Sequence, residues 1–383
     1  MLTFGYNKIQ DGAPIPNIKN VEGWGDIYYT FFKNYFNIES KIIDEIDTKY
    51  YYVIDILSYD SWKDKTICTT ILPSNVIKDI RNKKSKILFL FCLESFDIHI
   101  KKYIVKFIIN FAIRNNLPRK SIVVSSGNMN YNELEYNKYA DYIPYSIWEN
   151  LFFYKSNMNW EEAAKITSEA KKSVEEKYIK KKIFLCYNRR PRIARLKLVS
   201  TLYNKDLIKF GLTSASTLDI KESDTTFNLI TKDFIKILPL VIDDTNMNDN
   251  PGMTIVPDDF LRTYISIITE TSINEHFPTE KIWKSIFLMH PFIVLSSPRF
   301  LEFLKTLGYK TFSKWIDENY DMEDNLDKRI LMITDQIKIL CEKSREELSN
   351  MVFEMKSVLE HNSKNLEKRF NERSFDKQLK DNL

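Results

Sequence analysis

The chain is poor in the residues that build metal centres and covalent frameworks. Its four cysteines, Cys68, Cys92, Cys186 and Cys341, are far apart, and Cys92 and Cys186 sit inside apolar runs. That excludes a disulfide scaffold and a Cys-type metal spacing, and it points to buried thiols in a reducing compartment. The four histidines, His99, His276, His290 and His361, show no HxxxH or comparable ligand spacing, so no zinc site is expected. No apolar run approaches the roughly 18 residues of a membrane span. The opening MLTFGYNKIQDGAPIP lacks the basic region and apolar core of a secretory signal. These absences predict no membrane partner and a cytoplasmic protein. Net charge is small as well: +4 from 56 basic and 52 acidic residues permits DNA as a partner without asking for it. Internal repeats and low-complexity segments are missing. Glycine is scarce, 8 residues against 25 Phe and 21 Tyr, a balance that suggests an AT-rich coding sequence.

What is present describes an α/β protein of two domains. The 383 residues suffice for two full cores, and 44% hydrophobic with 28% charged residues is a globular composition. Runs 51–57, 86–93 and 121–126 read as strands, and residues 98–115 carry Tyr103, Ile104, Phe107, Ile108 and Phe111 at helical spacing. Strand, helix, strand in that order predicts a parallel, doubly wound sheet. The charged, helix-forming stretch 160–182 is expected to lead out of this first domain, 1–175. A second domain, 176–323, is expected to place strands at 182–186, 207–210, 235–242, 264–269 and 291–295, with Gly308 closing a helix. The tail 324–383 reads as helical, its last 20 or so residues as a solvated end.

Two segments carry chemistry. The run ETSINEHFPTEKIW, residues 270–283, follows the strand-like TYISIITE. Thr279 stands at an N-cap position, with Glu280 and Lys281 in the first turn of the helix after it. A helix N-terminus attracts anions, Lys281 adds a formal charge, and Glu280 can accept from ribose hydroxyls. The same residues also suit a purely structural cap. Asn274 and His276 lie in the loop before the helix, while His290 reads as structural. The second segment is IFLCYNRRPRIAR, residues 183–195, where Arg189, Arg190, Arg192 and Arg195 stand between a strand and a helix. Such a turn faces the carboxyl edge of a parallel sheet, and guanidinium groups there can grip phosphate in bidentate fashion and neutralise a leaving diphosphate without a metal. Pro191 restrains Arg190 to extended geometry. A solvated basic turn is the plainer account of any single arginine. Asp243 and Asp244 offer a rival, metal-dependent reading, against a solvated turn.

These residues resemble a known family. ETS followed by TEKIW looks like the nucleotide-binding signature of the α-1,3-fucosyltransferases and their viral and bacterial relatives. IFLCYNRRPRIAR, LKLVSTLYN and KDLIKFGL are similar to the start of that family's C-terminal domain. The resemblance covers roughly residues 180–320. It implies a GT-B-like architecture, two Rossmann-like domains facing a cleft, with the donor nucleotide on the second. It further implies inverting transfer from a nucleotide-diphosphate sugar, GDP-fucose by the likeness, with no cofactor and no divalent metal. Matching positions favour Arg195 and Arg189 for the diphosphate, with Arg190 and Arg192 as alternates, Glu270 and Asn274 around the donor, Glu280 on ribose and Lys281 on phosphate. The general base expected for the acceptor hydroxyl is Glu94, directly after the strand 86–93; Glu94 and Ser95 resemble the family's E-S pair, although Phe96 stands where proline is common. Asp97 and Asp60 are the runners-up, and each carboxylate can instead cap a helix. The Golgi members carry a membrane anchor that this sequence lacks, which suits a cytoplasmic enzyme, in the host cytoplasm if viral. The acceptor expected is a glycan, with a modified base in viral DNA as the alternative. A non-catalytic nucleotide-sugar or nucleic-acid binding module is the reading from another class.

Overall fold

The computed structural model describes residues 1–10, 13–15, 17, 26–55, 69–91, 98–129, 140–149, 160–189, 191–216, 232–242, 255–372 and 374–383. The chain divides into two units, Met1–Ile147 with Asn371–Leu383, and Trp148–Phe370. Both are α/β and built on parallel sheets.

The first unit contains β1 (Leu2–Tyr6), a hairpin of β2 (Lys8–Gln10) and β3 (Ala13–Ile15), α1 (Asp26–Phe36), β4 (Ile38–Ile42) and β5 (Tyr50–Asp55). It continues with α2 (Ser74–Arg81), β6 (Ser85–Phe91), α3 (Ile98–Arg114), β7 (Ile122–Ser126) and β8 (Ala140–Pro144). The main sheet has the order β4-β1-β5-β6-β7-β8, every pair parallel. β5 and the apolar part of β6 are buried along their length, which is why they show no alternation of apolar and polar residues. Phe107 and Phe111, one helical turn apart on α3, meet the Phe89 ring of β6 at 5.7 and 5.4 Å.

The second unit contains α4 (Trp160–Glu175), β9 (Lys182–Asn188), α5 (Ile193–Asn204), β10 (Gly211–Ala215), α6 (Lys232–Lys236), α7 (Pro257–Leu261), β11 (Thr263–Thr269) and α8 (Glu280–Phe287). It goes on through β12 (Phe292–Leu295), α9 (Phe300–Thr306), α10 (Leu326–Cys341), α11 (Arg345–Glu354) and α12 (Lys356–Glu372). Its sheet runs β10-β9-β11-β12, again all parallel. Two expected strands are corrected. Residues 208–210 form a 3-10 turn, and the strand starts at Gly211, where a Cβ would stand 2.1 Å from the Phe184 ring of β9. Residues 232–236 are helical, and of the expected strand 235–242 only a single bridge remains, Leu240 to Ala215. Gly308, at φ 85°, ends α9 as expected, with Tyr309 N–H donating to Leu304 C=O at 3.1 Å. Asn362 of α12 clamps Lys310, accepting from its N–H and donating to its C=O, both at 2.8 Å.

The tail is helical, but its last helix is not a wholly solvated end: Phe375, Asp376 and Leu379 are buried. α13 (Ser374–Asn382) packs into the first unit. The Phe375 ring stacks on Tyr145 at 4.1 Å, Leu379 is fully buried, and the Tyr51 hydroxyl donates to Leu379 C=O at 2.8 Å. Lys49 and Lys86 add hydrogen bonds to Leu383 C=O and to the Asn382 side chain, at 3.2 and 2.8 Å. Among the described residues, no helix is long and apolar enough to cross a membrane.

Candidate functional site

In the second sheet β9 comes first in the chain and lies between β10 and β11. The chain builds outward from β9 to β10, then returns and builds β11 and β12 on the other side. Ligands of open α/β sheets bind outside the carboxyl ends of the strands where the order reverses, here β9 and β11. β9 leads through residues 189–192 into α5, and β11 through residues 270–279 into α8. The two segments singled out in the sequence thus stand on neighbouring strands at one sheet edge.

On the β9 side, Arg192 holds the N-cap position of α5 in extended geometry, φ −140° and ψ 150°, with no side-chain capping bond and no acid in the first turn. Arg195, in that first turn, is 6% exposed; Arg189 is half-buried and Arg192 exposed. The charge of Arg195 reaches β9: the Cys186 thiol is pushed up to about 12 by burial, against the hydrogen bond from Asn188 and the pull of Arg195. The amides of a twelve-residue helix and basic side chains therefore converge on one turn, an arrangement suited to an oxyanion.

The β11 side is organised around Glu270, which is 1% exposed. Its carboxylate accepts from Thr279 N–H at 3.2 Å and from the Thr279 hydroxyl at 2.5 Å. Thr279 is therefore at the N-cap of α8 without capping it by its side chain; it ties the loop to the end of β11. Lys281 lies 3.0 Å from Glu280 and 3.8 Å from Glu270, and donates to the Thr279 hydroxyl oxygen at 2.7 Å and to that of Thr271 at 3.3 Å. Lys284, 8% exposed, adds a second ammonium one turn on. Burial, helped by the charge of Glu280, raises the Glu270 carboxyl above its ordinary value. Burial opposes ionisation of Glu280 too, but Lys281, Lys284 and the bond from its own backbone N–H outweigh it and hold that carboxyl low. Lys284 is brought down to about 8 by burial, against Glu280. Glu270, Glu280 and the buried Glu275 of the same loop stand against Lys281 and Lys284, so this edge is not basic, whereas the α5 turn is.

No family model, curated protein or solved structure matches this chain. The chemistry of the two segments has to carry the functional reading.

Of the residues picked from the sequence, Arg189, Arg192, Glu270 and Asn274 fall on these two connections, and Arg195, Glu280 and Lys281 in the first turns of the helices that follow them. Asn274 is exposed, its N–H donating to the Ser272 hydroxyl at 3.3 Å. Glu94 and Arg190 lie outside the described residues, as do Asp60, Asp97, Asp243 and Asp244. His276 bridges to the loop after β12 through Ser297, Nδ1 to Oγ 2.9 Å, and burial lowers its pKa to about 4, so it is neutral at pH 7. Thr271, Lys284 and Ser297 belong to the same edge and were not singled out. Lys284 was within reach, since it stands four residues after Glu280 on one helix face; Ser297 comes from the loop after β12 and gave no local signal. Among the described residues no three His, Cys, Asp or Glu side chains are gathered to hold a metal.

Proposed function

We propose that this protein is a GT-B-type glycosyltransferase of the α-1,3-fucosyltransferase kind, moving a sugar from a nucleotide-diphosphate donor to a glycan hydroxyl with inversion. The single observation that carries the reading is the placement of the Arg189 to Arg195 turn and the Glu270 to Lys281 segment on adjacent strands at the switch point of the second sheet. The diphosphate belongs at the N-terminus of α5, because that turn is basic and its helix start carries no side-chain cap. The start of α8 holds Glu280, which repels an anion and suits ribose hydroxyls instead. Arg189, Arg192 and Arg195 then take the phosphates, with Arg190 of the same turn, and they stabilise the charge that collects on the leaving diphosphate. Lys281, already shared between two carboxylates, sets the position of Glu280 more than it meets phosphate. Deprotonation of the acceptor hydroxyl falls to Glu94.

Thermal melting with GDP, UDP, CDP, ADP and dTDP, each in EDTA and in Mn²⁺, tests the donor site. A ligand that binds only the folded state raises the midpoint, by about 2.7 kcal/mol of stability at a hundredfold excess over Kd. One nucleotide active in EDTA is the expected result. A response confined to Mn²⁺ moves the site to Asp243 and Asp244, and no response to any nucleotide overturns the proposal.

A further inference from the structure

The second unit holds a cavity at the amino edge of its sheet, the end opposite the arginine turn. Lys180 stands just before β9, Phe260 just before β11 and His290 just before β12, and all three line it. Val174 of α4, Met289 of the turn after α8 and Val352 of α11 supply apolar walls. The cavity measures about 10 Å³, room for one water-sized molecule. The polar side chains in its wall are Lys180 and His290. Both His290 nitrogens are taken, one by Thr263 C=O and the other by the Ser266 hydroxyl.

Lys180 has capacity to spare. Its Nζ donates to Phe260 C=O at 3.2 Å and lies 5.9 Å from the centre of the Tyr264 ring, and no carboxylate among the described residues pairs with it. Its backbone is fixed, the N–H donating to the Tyr264 hydroxyl at 2.8 Å. A buried ammonium without a counter-charge is costly; the residue is 8% exposed, and burial brings the amine down to about 7. Tyr264 and His290, the titratable groups beside it, are uncharged at that pH, because burial raises the phenol and lowers the imidazole to about 3. A large share of the amine is therefore unprotonated at pH 7, with its lone pair beside open volume. Loss of the proton in apolar surroundings is what turns a lysine into a nucleophile.

We propose that Lys180 is a nucleophilic amine that takes up a one- or two-carbon aldehyde as a Schiff base in this cavity. Nζ adds to the carbonyl carbon and a C–N bond forms; the carbinolamine then sheds its oxygen as water, both hydrogens coming from the nitrogen, and a C=N bond remains. The imine is uncharged, which suits the apolar walls, and Phe260 C=O keeps the N–H of Arg262 as a donor. Larger aldehydes have to displace the walls. The site is independent of the nucleotide reading.

The test is reductive methylation of the full chain at pH 7 with limiting formaldehyde and cyanoborohydride, with digestion and mass spectrometry to rank the lysines. Benzaldehyde is run in parallel. The expected result is that Lys180 is methylated at least about tenfold faster than the exposed Lys305 and Lys328. At pH 7 about half of an amine of pKa 7 is unprotonated, against less than about a thousandth of an ordinary lysine amine. Benzaldehyde, too large for the cavity, shows no such preference. Local unfolding does not mimic the result, since it returns Lys180 to an ordinary amine and erases its advantage. Lys180 methylated no faster than the exposed lysines, or preferred equally by benzaldehyde, overturns the assignment.

Discussion

Acid should destabilise the second unit through His290, and the size of the effect follows from its contacts. His290 is 3% exposed, and both ring nitrogens are used by the neutral form: Nε2–H donates to Thr263 C=O at 2.8 Å and Nδ1 pairs with the Ser266 hydroxyl at 2.8 Å. Burial, with the positive charge of Lys180 behind it, lowers the pKa to about 3 from 6.5. Between those two values the unfolded chain binds the proton and the folded chain does not, so stability falls as pH drops through that window. At pH 4.5 the unfolded-state gain is about two pKa units, or roughly 2.7 kcal/mol. His290→Asn costs about 1–3 kcal/mol at pH 7, because it disturbs buried hydrogen bonds. The variant has no imidazole to protonate, so its deficit against wild type should shrink by about 2.7 kcal/mol between pH 7 and 4.5. Urea unfolding of both proteins at both pH values measures this double difference, in which other titrations, including that of His276, cancel. A deficit that stays the same at the two pH values refutes the reasoning.

Three further outcomes are expected. Glu270→Ala leaves Lys281 and both donors of Thr279 short of a buried acceptor, so it should cost about 3–5 kcal/mol in urea, and Glu270→Gln, which keeps an acceptor, clearly less; equal losses contradict the role given to this carboxylate. Phe375→Ala removes a stacked ring from the first unit and should cost about 3–5 kcal/mol, with limited proteolysis releasing α13 before other segments; an unchanged cleavage pattern means that the ring does not hold the helix. Gly211→Ala forces a methyl into the Phe184 ring and should cost about 1–3 kcal/mol by denaturant melt; a neutral result means that β10 shifts freely.

The sequence displayed the fold best where strands are buried on both faces. Residues 51–57, 86–93 and 121–126 are rich in large apolar and β-branched side chains, and β5, β6 and β7 lie within a residue or two of them. β4, IESKI, has only half-buried and exposed residues after its first, and β10, GLTSA, is short and nearly devoid of large side chains. Neither announces itself, because an edge strand needs less apolar content. The error at 235–242 has a similar cause: IKILPLVI has the composition of a strand, but Pro239 cannot donate to a ladder, and a single bridge is what forms. The site was legible in the same way. A strand, a turn with capping chemistry and a helix can be read locally, which placed Arg189 to Arg195 and Glu270 to Lys281 on two such connections. That these connections are neighbours depends on strand order, which no local pattern encodes.

The most direct test of the central claim is calorimetric titration of the nucleotide that raises the melting point, in EDTA, into wild type and into Arg195→Gln. The account predicts one site in the wild type and affinity at least about tenfold weaker in the variant, because a charge-assisted contact to phosphate is worth about 1.5–3 kcal/mol. Equal affinity in two proteins that melt alike, or a wild type that takes up no nucleotide, contradicts it.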